Sequence, residues 1–227
     1  MTRKKKTAVL SEGEHSLNNV SWIWHNGVGY VFPRRGDVHV SNQEVAGTWR
    51  SINHQGRTPV DTVRLGVFGL WKDHGVRPEN GGYEYIVVPA SSPDALARYQ
   101  KDSPVEVLRN NTTVQAVWHR GLERAQVVFY QGGKIKVNDH VTVTSIQPCV
   151  VMLKINGKQV EEITVSDPSR KLAALRLEIS TPIEGKGPQW KAWWDQQKKE
   201  GVIDVNLPRD GYAGQSVVMS FPATPGM

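Results

Sequence analysis

The chain has 227 residues, 38% hydrophobic and 22% charged, which is long enough for one large or two small domains with a buried core. Its formal net charge is +6, from 28 Lys and Arg against 22 Asp and Glu, with four of the cations together in Arg3-Lys4-Lys5-Lys6; this makes no case for nucleic acid but suits an acidic polymer. No apolar run approaches the roughly 18 residues of a membrane-crossing helix, and a single cysteine, Cys149, excludes both an intramolecular disulfide and a multi-cysteine zinc site.

The basic start is followed only by Ala8-Val9-Leu10 before Ser11-Glu12-Gly13-Glu14. A secretory signal would continue with about 7–15 apolar residues, so none is read here, and residues 1–16 are expected to be disordered or non-native. From residue 20 onward, short β-branched and aromatic runs alternate with Gly, Pro, Asn and Asp. Strands are predicted over 20–25, 29–32, 38–40, 60–70 and 83–88, then over 105–108, 113–118 and 125–130. The last third adds 141–145, 149–155, 162–166, 174–179, 202–207 and 216–221. In Val141-Thr142-Val143-Thr144 the valines fall on one face and the threonines on the other, and Ala174-Leu175-Arg176-Leu177-Glu178-Ile179 alternates in the same way. Many short strands at this spacing indicate antiparallel sheets stacked as sandwiches, an all-β fold with few short helices.

Two stretches read as helix. Ser92-Pro93-Asp94-Ala95 begins with an N-cap serine and a proline at the first helical position. Residues 189–199 place Trp190, Trp193 and Trp194 at i, i+3 and i+4 and stop before Gly201. A soft boundary falls at residues 109–112, dividing the chain into 17–112 and 113–227.

Recognisable catalytic patterns are missing. Seven histidines form no HExxH pair, Gly27-Val28-Gly29 is a turn fragment and not a phosphate cradle, and no Ser/His/Asp arrangement can be argued from spacing. No metal site and no cofactor are implied. Cys149, in the apolar run Pro148-Cys149-Val150-Val151-Met152, reads as a small buried hydrophobe.

Several segments resemble one family. Trp22-Ile23-Trp24-His25-Asn26-Gly27-Val28-Gly29-Tyr30 is similar to a strand pair of polysaccharide lyase family 8, which holds hyaluronate, chondroitin AC and xanthan lyases. Gly47-Thr48-Trp49-Arg50-Ser51-Ile52-Asn53 resembles its G-x-W-x-x-I-N segment, and Asp73-His74-Gly75 with Tyr83-Glu84-Tyr85 through Pro89 resembles its D-H-G and Y-x-Y run. Asn110-Asn111-Thr112 with Gln115-Ala116-Val117, and then Val165-Ser166-Asp167-Pro168-Ser169, continue the likeness in order, serine replacing threonine in the last.

The resemblance covers about residues 20 to 221. It implies the later part of a central β supersandwich followed by a small C-terminal β-sandwich, from secreted enzymes whose N-terminal α/α toroid carries the catalytic groups. The implied reaction is β-elimination at a uronate. A base takes the C5 proton and the C4–O bond breaks, which requires donors to neutralise the neighbouring carboxylate. No segment here matches the toroid motif, so no catalytic residue is carried onto this chain. His25, Asn26 and Tyr30 have suitable types but lie in the strand motif, where a structural role is expected. Gly29, Gly47 and Gly75 are expected at turns, and Trp22, Trp24 and Trp49 between sheets.

Trp190, Trp193 and Trp194, flanked by Lys186, Lys191, Lys198 and Lys199, are the candidate substrate-binding residues, suited to stacking on sugar rings beside cations; the same spacing also fits a helix packing an aromatic stripe against the sandwich. The expected partners are an acidic polysaccharide and the catalytic toroid, in the same chain or a separate one, with no nucleic acid and no membrane. Extracellular location is implied by the family although this chain shows no signal. The competing reading is a free-standing module that binds acidic polysaccharide without cleaving it. Exposed apolar surface would favour the lyase part over the module.

Overall fold

The computed structural model describes residues 7–89 and 91–221. Two compact units divide at Asp102–Ser103, earlier than the boundary expected at residue 112. The reason is pairing: β5 (Val105–Asn110) hydrogen-bonds to β6 (Val114–His119) and so belongs to the second unit.

The first unit is one four-stranded antiparallel sheet with a helix. It contains β1 (Gly13–His25), β2 (Val28–Thr48), β3 (Thr62–Trp71) and β4 (Ile86–Val88), with β2 pairing to the other three. Order begins before residue 17, because Gly13 to Ser16 pair with Asn42 to His39. The β1–β2 turn is Asn26-Gly27, with φ of 44° and 83°. Positive φ at both central positions matches the right-handed twist of the flanking strands, and Asn and Gly tolerate it best. Helix α1 (Pro93–Lys101) starts as the sequence predicts: the Ser92 hydroxyl accepts from Ala95 N–H at 3.2 Å. Its Leu96 is fully buried, and a Cβ at Gly29 would collide with that side chain. Gly29 therefore serves close helix–strand approach inside β2, not a turn. Gly47 also lies within β2, whereas Gly75 does sit in a turn, its N–H donating to Asp73 Oδ1 at 2.7 Å.

The core of this unit is small. Ile23, Phe32, Val38 and Val40 are buried, with Leu17, Tyr30, Phe68 and Leu70 against them. The opposite face of the β2–β3 ribbon is apolar and open: Val45 is 47% exposed, Leu65 64% and Val67 45%. These residues share a face because Val45 pairs with Leu65 and Gln43 with Val67. Trp49 is 59% exposed at the end of β2, and Trp24 is also exposed. The expectation that Trp24 and Trp49 fill the space between sheets is thus not met; Trp24 instead donates its Nε1–H to the Ser91 carbonyl at 2.9 Å.

The second unit is a sandwich of two six-stranded antiparallel sheets. One sheet has β5 and β6 with β7 (Arg124–Phe129), β10 (Cys149–Asn156), β11 (Gln159–Ser166) and β16 (Val217–Ser220), in the order β16-β11-β10-β7-β6-β5. The other has β8 (Gly133–Lys136), β9 (Thr142–Ser145), β12 (Ala174–Ile179), β13 (Gly185–Lys186), β14 (Trp190–Asp195) and β15 (Glu200–Asn206), in the order β13-β14-β15-β12-β9-β8. Alternation along each strand sends one face inward. Val151, Leu153 and Ile155 of β10 meet Leu177, Ile179 and Ile203 in one continuous core.

Asp167 closes the turn after β11. Its carboxylate is 3% exposed and accepts from the backbone N–H of Ser169, Lys171 and Leu172 at 2.7–2.8 Å. Burial works to raise its pKa, but the Ser169 side chain and those three N–H groups outweigh burial and hold it below the ordinary aspartate value. Cys149 is buried as expected, and burial pushes its thiol up to about 11. Among the described residues no helix is long and apolar enough to cross a membrane.

Candidate functional site

The segment predicted as a helix over 189–199 is strand β14 followed by the turn that leads into β15. Period two competes with period 3.6 here, since Trp190, Ala192 and Trp194 alternate with Lys191, Trp193 and Asp195. Pairing with β15 decides the outcome, register running from Trp190 opposite Val205 to Asp195 opposite Glu200. Asp195 then makes the turn: its Oδ1 accepts from Gln197 and Lys198 N–H at 2.9 and 3.0 Å. Lys199 takes a φ of 56°, and its N–H donates to the Asp195 carbonyl.

This geometry separates the three tryptophans. Trp190 faces inward and packs edge-on against Phe221, ring centroids 5.3 Å apart. Gly185 and Gly187 make room for it, because a Cβ at either would press into the indole. Trp194 is on the same side as Trp190 and buried Ala192, opposite Gly201. Trp193 alone faces outward.

Around Trp193 the outer face is charged. Lys191 Nζ lies 5.6 Å and the Arg176 guanidinium carbon 5.7 Å from the indole centroid, over the ring. Arg176 grips Asp204 with two parallel bonds, Nε to Oδ1 at 2.6 Å and Nη2 to Oδ2 at 2.7 Å. That contact holds the Asp204 carboxyl below its ordinary value and raises the guanidinium further. Val202, the cross-strand partner of Trp193, is 2% exposed although it faces away from the main core. Lys198 bonds Glu178 at 3.2 Å, and Glu178 pairs with Val202, the partner of Trp193, so this ion pair lies on the same outer face.

The trio of His25, Asn26 and Tyr30 is explained by packing. His25 stacks on Phe68 at 4.2 Å with planes 6° apart, Tyr30 lies 5.9 Å from the same ring, and Asn26 occupies the turn. Among the described residues, no group of three or more His, Cys, Asp or Glu is placed to hold a metal ion.

Residues 1–100 match the super-sandwich domain of polysaccharide lyase family 8, and residues 106–176 match the family's C-terminal β-sandwich domain. The chain belongs to polysaccharide lyase family 8. It is 37% identical over 202 residues to a chondroitinase-AC from Pedobacter heparinus, covering 88% of this chain and 27% of that protein. A xanthan lyase from Bacillus sp. is 26% identical over 189 residues, covering 78% of this chain and 20% of its own length. A solved structure of chondroitinase AC lyase superposes with a TM-score of 0.78 at 28% identity, covering 92% of this chain and 29% of that one. The chain thus spans about a quarter of the length of these relatives.

Proposed function

We propose that this chain is the β-sandwich portion of a secreted lyase that cleaves uronate-containing polysaccharides of the hyaluronan, chondroitin or xanthan type by β-elimination. Its role is to brace the α/α toroid and help wall the substrate cleft. The proton abstraction at C5 and the neutralisation of the uronate carboxylate belong to the toroid, so the chain is inactive alone. The observation that carries this reading is the open apolar face of Val45, Leu65 and Val67. A free-standing module would hide such a surface, whereas a layer of a larger supersandwich needs it.

The test is the mass of the native protein in its source cells and their medium, read with an antibody to this chain. The reading predicts a band several times heavier than the chain, in the medium. A native band of the chain's own size, with no separately encoded toroid co-purifying, would overturn it. The second reading, a free-standing module for acidic polysaccharide, is favoured by the cations beside outward-facing Trp193 and would then take precedence.

A further inference from the structure

The outer face of the β13-β14-β15-β12 sheet carries a row of charges with a specific imbalance. Register places Lys186 directly opposite Lys191, Lys191 opposite Asp204, and Asp204 opposite Arg176. In this row three cations therefore flank one carboxylate, which Arg176 already holds through two bonds, while Glu178, two residues along β12, acts on Arg176 and is itself bonded to Lys198. Like charges directly opposite each other on a sheet face are destabilising, with Cβ atoms about 4.5–5.5 Å apart. Among the described residues neither lysine has a carboxylate within ion-pair distance. Trp193 projects from the same face next to Lys191, which leans over its ring.

From this we infer that Lys186, Lys191 and Trp193 form a subsite for one anionic sugar of an acidic polysaccharide. The sugar's carboxylate or sulfate sits between the two ammonium groups and relieves their repulsion. The C–H face of its ring packs against the indole, and Arg176, with N–H groups left over from Asp204, borders the site. The anion and the apolar ring face are needed together, so the site selects acidic over neutral glycans. Lysines near a sheet edge also deter edge-to-edge pairing, but that role involves neither the indole nor any affinity for a polyanion.

The inference rests on the reading that the protein acts on acidic polysaccharide, and it names where on this chain the polymer is held. The test is fluorescence anisotropy of end-labelled hyaluronan and chondroitin sulfate oligosaccharides, titrated with the 227-residue chain at low ionic strength, with labelled dextran as the neutral control. Hyaluronan offers carboxylate alone and chondroitin sulfate both groups, so their ratio tells which anion the lysines prefer. Expected are saturable binding to at least one acidic oligosaccharide, none to dextran, and a fall in affinity with added salt.

Trp193→Ala should weaken binding about ten-fold, the scale of one lost aromatic contact. Trp193→Tyr should restore most of it. Joint Lys186→Gln and Lys191→Gln should weaken binding and flatten the salt dependence, with unfolding midpoints unchanged or raised, since a repulsion is removed. Unaltered affinity in Trp193→Ala with a wild-type midpoint, or equal binding to dextran, would overturn the inference. The two readings fail separately. If the native polypeptide eliminates uronate but these variants bind like wild type, only this site falls. If the variants lose binding but no elimination occurs, only the lyase reading falls.

Discussion

The two units differ in how they dispose of apolar surface. The second sandwiches two sheets around one continuous core, with Val151, Leu153, Leu177, Ile179 and Ile203 fully buried. The first has one sheet, a main buried cluster of four described residues with Val31 and Leu96 buried apart from it, and an apolar face left open. The hydrophobic effect drives an open apolar face toward a cover. Stability should therefore reside in the second unit, and association in the first.

Truncation in the sandwich core should weaken the protein most. Leu177→Ala removes a side chain that is fully buried and should cost about 2–5 kcal/mol, read as a lowered urea midpoint. An unchanged midpoint would show that the second unit is not the stable part.

Next is Asp167→Asn. It exchanges a carboxylate accepting three backbone N–H groups for an amide and should cost about 1–3 kcal/mol. Because the folded pKa lies below the unfolded one, the carboxylate's contribution is complete above the unfolded value of about 3.9 and fades as pH falls through the folded value. Wild type should lose stability more steeply than the variant on acidification through that range. Parallel pH curves would contradict the assignment.

Within the first unit, Gly29→Ala drives a methyl into Leu96 and should destabilise it by about 1–3 kcal/mol, displacing α1. Proteolysis between the two units, followed by mass spectrometry, would locate the loss. The smallest change in stability is at the open face: Leu65→Lys should shift it by no more than about 0.5 kcal/mol. It should nonetheless reduce self-association of the isolated chain, seen as a lower apparent mass by light scattering at high concentration. Wild type that stays monomeric there would show that the exposed face does not drive association.

Strand patterning made the all-β architecture legible, because alternation such as Val141 to Thr144 survives as alternating burial in β9. The Ser92-Pro93 start located α1 for the same reason: a cap is local chemistry. What local pattern could not decide was the tryptophan segment. Its residues satisfy both periods, and only pairing with β15 selects the strand. The signal available was Gly185-Lys186-Gly187, two small residues flanking a lysine just before the first tryptophan, which clear space for Trp190 and place Lys186 opposite Lys191. The role of Gly29 was hidden for another reason. It depends on the approach of α1 and Leu96 to β2, and nothing in the run of residues around Gly29 encodes that.

Whether the native polypeptide is a lyase is decided by an unsaturated-uronate assay, followed by ultraviolet absorbance, run in parallel on the 227-residue chain and on the native polypeptide captured by an antibody to it. Hyaluronan, chondroitin and xanthan serve as substrates. Product is expected from the native polypeptide on at least one of them and none from the chain alone. Product from the chain alone would place the catalytic groups within these residues, and absence of product from both would contradict a lyase.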